Sequence, residues 1–141
     1  MVRFCWRLLL YLWVSPGSLV GLTAAAVALW RGGGCRVVDG VLEVHGGDLT
    51  KLLSRFSPFL STISAITLGH VVVGANLAEL DRTRVHERVH VRQYERWGPL
   101  FIPAYFLAGG WVWLRGGSPY LDNPFEVEAY AVSDGRPQHP C

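Results

Sequence analysis

The 141-residue chain is poor in cysteine, nearly free of lysine and almost neutral. Cys5, Cys35 and Cys141 are odd in number and far apart, and no C-x-x-C occurs. That argues against both a thiolate zinc site and a disulfide framework, and leaves three unpaired thiols. Cys5, beside an apolar run, is a candidate for acylation. A formal charge of +2 lacks the basic excess of a nucleic-acid binder, so no nucleic-acid partner is expected. Twelve of the thirteen basic residues are arginine, which makes their placement informative. Charge is also absent from two long stretches, residues 8–30 and 100–114. The composition is 50% hydrophobic with a mean hydropathy of +0.25, high for a small soluble domain. The length fits one domain with a modest core.

Residues 8–30 can cross a hydrocarbon core as a helix at about 1.5 Å per residue. Arg3 and Arg7 precede the stretch and Arg31 and Arg36 follow it, so the charges leave its orientation open. Ser15-Pro16-Gly17 interrupts it, which predicts a kinked span or a re-entrant hairpin. A cleaved signal peptide and a buried helical hairpin are the alternatives. Gly32-Gly33-Gly34 then stops the helix. Arg36-Val37-Val38 and Val41-Leu42-Glu43-Val44 read as strands around an Asp39-Gly40 turn. Residues 48–59 are ambiguous, with helical spacing ended by Pro58. Residues 63–73 are rich in β-branched side chains and read as one strand, with Gly69 a bulge or a point of close approach. Its His70 is either a packed histidine or a further ligand.

The chemistry concentrates in His86-Glu87-Arg88-Val89-His90, an H-E-x-x-H pattern within an expected helix over residues 79–97. Histidines four apart lie one turn apart on one face and can share a cation. Zinc favours such nitrogen donors, and Glu87 is then the expected general base. Gln93, one turn beyond His90, either orients a histidine or makes a local polar contact. Arg84, Arg88, Arg92 and Arg96 form a ridge on the same helix. It is either a solvated face tied to acids such as Glu95 or a surface for anionic lipid.

Gly98-Pro99 ends this helix. Residues 100–114 are too short to span a bilayer and fit a core or interfacial helix. Asn123-Pro124-Phe125-Glu126 is a helix start, with Asn at the cap and Pro first. That helix is expected to run through Val132, with a loosely attached tail over residues 133–141. A zinc site needs a third protein ligand. Glu95 points the wrong way from His86, nine residues on along one helix. Glu126 and Glu128 can both reach across from the later helix, although Glu126 can instead close a capping box. The residues alone leave that choice open.

H-E-x-x-H followed on a later helix by Glu126-Val127-Glu128-Ala129-Tyr130 resembles the gluzincin metallopeptidases, above all membrane-bound ones with a Glu-x-x-Ala-Asp element. The string from His86 through Gln93-Tyr94-Glu95-Arg96-Trp97-Gly98, with Asn123-Pro124-Phe125-Glu126, is also similar to a group of small bacterial zincin-like proteins. The likeness covers roughly residues 63–132. It implies Glu126 as the third ligand and puts Tyr130 where the family has an aspartate that orients a histidine.

The expected architecture is α+β: a minimal zincin-like domain over residues 32–132, after a membrane helix or helical hairpin over residues 1–31. The expected function is Zn²⁺-dependent peptide hydrolysis at a membrane, with peptide or protein as substrate and lipid as partner. His86, His90 and Glu126 would hold the metal and Glu87 would act as base. Tyr130, Tyr94 or His70 would stabilise an oxyanion. A membrane-anchored zinc protein without turnover and a lipid-surface adaptor using the arginine ridge are the alternatives.

Overall fold

A computed structural model describes residues 2–48 and 64–134, with side chains from residue 7 onward. The ambiguous stretch therefore lies outside the described residues except for Asp48, as does the tail beyond Asp134. The chain is mixed α+β, in the order α1 (Val2–Trp30), β1 (Gly34–Val38), β2 (Val41–His45), β3 (Ala65–Leu68), β4 (Val71–Gly74), α2 (Leu77–Trp97), a 3₁₀ turn (Gly98–Leu100), α3 (Phe101–Leu114) and α4 (Pro124–Ser133). Ser133 thus belongs to a helix and not to the expected tail.

The four strands form one sheet in the order β1-β2-β4-β3. The β1–β2 hairpin turns at Asp39 and Gly40, with φ of 50° and 80°. Both are left-handed, as the type I′ turn of an Asp-Gly hairpin requires. β2 and β4 run parallel. The expected single strand over residues 63–73 is instead an antiparallel hairpin, β3 and β4, folded at Gly69-His70. β-branched content favours extended backbone but does not say where it reverses. Gly69 reverses it with φ +67°, and a Cβ there would lie 2.5 Å from the Ser18 nitrogen of α1. It is a turn and a point of close approach at once.

Helices cover both faces of the sheet. Ala25 and Ala28 of α1 pack with Val44, Val71 and Val73. Leu80 and Val91 of α2 pack on the other face with Val41, Ala65 and Val72. This explains the unbroken valine run of β4, because a central strand buried on both sides needs apolar residues at every position. Glycines set the spacing of α1. A Cβ on Gly21 would fall 2.5 Å from Val71 Cβ and 2.8 Å from the Leu68 carbonyl oxygen.

Of the two forms expected at Ser15-Pro16-Gly17, a single span and a hairpin, the hairpin does not form, and α1 is continuous through Pro16. Proline removes the N–H that would bond the Leu12 carbonyl. The Ser15 hydroxyl donates to that oxygen at 2.7 Å and replaces the lost bond. By length and composition, Arg7–Trp30 is long and apolar enough to cross a bilayer, a property that signal sequences and core helices share. Its Leu9, Leu12, Leu19 and Trp30 are exposed, as are Phe106, Leu107, Trp113 and Leu114 of α3.

The arginine ridge divides. Arg84 and Arg88 close on Glu43 of β2, which is 2% exposed, and Arg36 of β1 joins them. Burial opposes ionisation of Glu43, but hydrogen bonds from Arg84 and Arg36 outweigh it and hold its pKa below the usual range. Glu95 does not pair with the ridge. It lies 3.1 Å from His70 Nε2. Arg92 and Arg96 stay exposed, with Arg96 3.8 Å from Glu128.

Candidate metal centre

α2 begins where Asn76 accepts a hydrogen bond from the Glu79 N–H, and it ends at Gly98, whose φ of 55° favours glycine. Between these caps it presents His86 and His90 towards α4, where their Nε2 atoms approach to 3.1 Å. Glu126 comes from the first turn of α4. Asn123 caps that turn by accepting from the Phe125 N–H at 3.2 Å. The capping box does not form, because the Asn123 N–H donates to the Tyr120 carbonyl and the Glu126 carboxylate points at the histidines. Glu126 Oε2 lies 3.2 Å from His86 Nε2, and Oε1 lies 3.4 Å from His90 Nε2.

One donor atom from each of these three residues lies within 4.8 Å of the others, so the group can hold a metal ion. Among the described residues this cluster contains three donors. Glu128 is engaged elsewhere, accepting from Gln93 Nε2 at 2.9 Å. His70 sits in the β3–β4 turn, against Glu95 and the Tyr11 ring. The donor set suits a cation on a further ground. Glu126 Oε2 is buried and makes no hydrogen bond among the described residues, although an imidazole nitrogen is close by. A buried carboxylate oxygen without a donor is costly unless a cation meets it.

The electrostatics agree. Burial works against the Glu126 charge, yet His86, His90 and the Tyr105 hydroxyl lower its pKa to about 2. Burial likewise works against a charged His90, but Glu126 prevails and raises its pKa. Glu87 behaves in the opposite sense: its burial dominates and pushes the pKa up, against the pull of His90 and of the Thr67 hydroxyl. That hydroxyl donates to Glu87 Oε2 at 2.6 Å. Thr67 belongs to β3, so the base candidate is held against an edge strand of the described sheet.

Three further residues complete the site, of which Tyr105 and Thr67 were not singled out from the sequence. Tyr105 of α3 donates to Glu126 Oε1 at 2.7 Å. Thr67 holds Glu87. Gln93 contacts His90 Nδ1 at 2.8 Å, so it orients a histidine and is not a mere local contact. Tyr130 lies on the rim, its ring centroid 4.6 Å from that of His86 and its hydroxyl 3.4 Å from Tyr120 Oη. Tyr94, considered for the oxyanion, is instead buried with Val14 and Phe101 between α1 and α3. Comparison of the chain with protein families, with curated proteins and with solved structures found no match.

Proposed function

We propose that the protein is a membrane-associated, zinc-dependent peptidase with a minimal zincin-like site. The observation that carries this reading is the convergence of His86, His90 and Glu126 while Glu128 and His70 are engaged elsewhere, so that among the described residues three protein donors and no fourth meet at the site. Two imidazoles and one carboxylate with an open position form a donor set of catalytic zinc. When bound, zinc lowers the pKa of a water towards about 7 and polarises a carbonyl.

The chain's own residues supply the rest. Glu87 takes the proton of the attacking water and passes it to the leaving amine. Burial raises its pKa above the ordinary carboxylate value, the direction that favours a base, while Thr67 keeps one carboxylate oxygen in place. Gln93 and Tyr105 hold His90 and Glu126. Tyr130, beside His86, is the candidate donor to the oxyanion.

Zinc measured in the purified protein should be stoichiometric, and its absence would remove the metal reading. In Glu87→Gln, zinc should remain while hydrolysis of an unfolded protein falls by about 10²- to 10⁴-fold. Equal turnover in the variant would remove Glu87 from the mechanism. A second reading rests on the low exposure of the donor side chains, 12% for His86, 10% for His90 and 4% for Glu126. Here the metal joins α2 to α4 without turnover, as in structural zinc sites. Zinc-dependent stability with no hydrolysis by the wild type would favour it.

The membrane is met, in this proposal, by the outer side of α1 and by α3. From Val14 to Ala28 the inner side of α1 is packed against the domain, so lipid meets the opposite side. α3 carries no charge from Phe101 to Leu114 and ends in Trp111, Trp113 and Arg115, residue types found at membrane interfaces. The protein should sediment with the membranes of expressing cells, and its recovery in the soluble fraction would refute the association.

A further inference from the structure

We propose that Gln93 is a positioning residue of the metal centre: it fixes His90 as the tautomer with hydrogen on Nδ1 and ties the helix that carries Glu126 to the same amide. The inference rests on the metal reading for its purpose, while the geometry behind it does not.

Gln93 is 1% exposed, so its amide must find partners within the protein. Its Nε2 lies 3.0 Å from the Phe125 carbonyl oxygen and 2.9 Å from Glu128 Oε2. Both are acceptors, so the NH₂ must face them. A flipped amide would set its oxygen against two acceptors. The side-chain oxygen therefore faces His90 Nδ1 at 2.8 Å, and that nitrogen must carry hydrogen. In the neutral ring Nε2 is then bare, and it points at His86 Nε2 and Glu126. That is the form in which an imidazole binds a metal.

The amide also reads the position of α4. Phe125 precedes Glu126 by one residue and Glu128 follows it by two. Hydrogen bonds to both sides of the ligand fix how far α4 is advanced and rotated against α2. Gln93 orients His90 from the same helix that carries both histidines.

The test uses the full-length protein in detergent, labelled with ¹⁵N and stripped of metal with a chelator. Long-range ¹H–¹⁵N spectra are recorded above the imidazole titration range, with the His90 signals assigned by their loss in His90→Asn. The expected wild-type ring has hydrogen on Nδ1 and a bare Nε2. Gln93→Met keeps the length and removes the amide. It should release the tautomer and weaken zinc binding by about 10- to 100-fold in chelator competition. Glu128→Ala leaves the Phe125 carbonyl to orient the amide, so the wild-type tautomer should persist. Hydrogen on Nε2 in the wild type, or Gln93→Met zinc affinity within about twofold of wild type, would overturn the proposal. If Gln93→Met does not fold, the wild-type spectrum still decides. A wild type with the Nδ1–H ring but no stoichiometric zinc would refute the metal reading and uphold the tautomer lock.

Discussion

Stability should respond to pH in opposite directions with and without metal, because protons and metal compete for the same atoms. In the metal-free protein Glu126 has its pKa lowered from 4.5 to about 2. Its contribution is therefore complete above about pH 4.5 and is lost as pH falls towards about 2. A displacement of about 2.5 units corresponds to roughly 3 kcal/mol. The His90 pKa is raised from 6.5, so its contribution is complete below about 6.5 and is lost as pH rises through the folded value. Both displacements describe largely one interaction, so they are not added. Metal binding needs both Nε2 atoms bare and therefore strengthens as pH rises.

The assay is thermal unfolding between about pH 6 and about pH 9, with either chelator or excess zinc. With chelator, the melting temperature should fall across this range. The increment from zinc should grow, reaching about 2.7 kcal/mol where free zinc is about 100 times its Kd. At roughly 3 °C per kcal/mol for a chain of this size, that is about 8 °C. Glu126→Gln removes the charge that raises His90, so it should flatten the chelator curve and reduce the zinc increment. Parallel curves with and without zinc, or an unchanged chelator slope in Glu126→Gln, would refute the assignment of this trio.

Three further outcomes follow from contacts around the site. Thr67→Val removes a hydrogen bond that lowers the Glu87 pKa, so the acidic limb of kcat/KM should move to higher pH; an unmoved limb would separate Thr67 from Glu87. Glu43→Leu leaves Arg84 and Arg88 without their buried partner and should cost about 3–5 kcal/mol in denaturant unfolding, whereas Arg36→Ala, on the solvent side of the cluster, should cost clearly less. Gly21→Ala drives a Cβ into Val71 and the Leu68 carbonyl and should lower stability by about 1–3 kcal/mol; a neutral result would mean that α1 does not lie against β4.

What could be read from sequence was the chemistry contained within one turn of chain. Asp39-Gly40 specifies its hairpin, Asn123-Pro124 specifies the start of α4, and the spacing of His86 and His90 puts both rings on one helix face. Each signal needs only neighbours. The choice between Glu126 and Glu128 depends instead on how α4 is rotated, since residues two apart differ by about 200° around a helix. Ala129, fully buried and three residues after Glu126, marks the packed side and was a usable sign. Thr67 gave no sign, because its contact with Glu87 spans 20 residues of chain and exists only once β3 lies against α2. Arg84 and Arg88 misled for the same reason: a regular ridge resembles a surface until Glu43 meets it from another element.

The angular order of α2 explains why these roles do not interfere. Measured from His86, His90 lies at about 40° and Gln93 at about 340°, so both stay on the side that meets α4. Glu87 lies at about 100° and Val91 at about 140°, which turns the Glu87 carboxylate towards the sheet that buries it. Arg84 and Arg88 fall near 160° and 200°, opposite the histidines, and there they hold Glu43. The spacing of H-E-x-x-H thus dictates more than shared ligation. It sets the Glu87 carboxylate a quarter turn from the histidine face, on the flank where the sheet removes water from it. The burial that raises the Glu87 pKa follows from packing that flank of α2 on β3 and β4. In the proposed mechanism, the strand beside α2 is therefore what would equip Glu87 as a base, through the burial it imposes and the Thr67 hydroxyl it supplies.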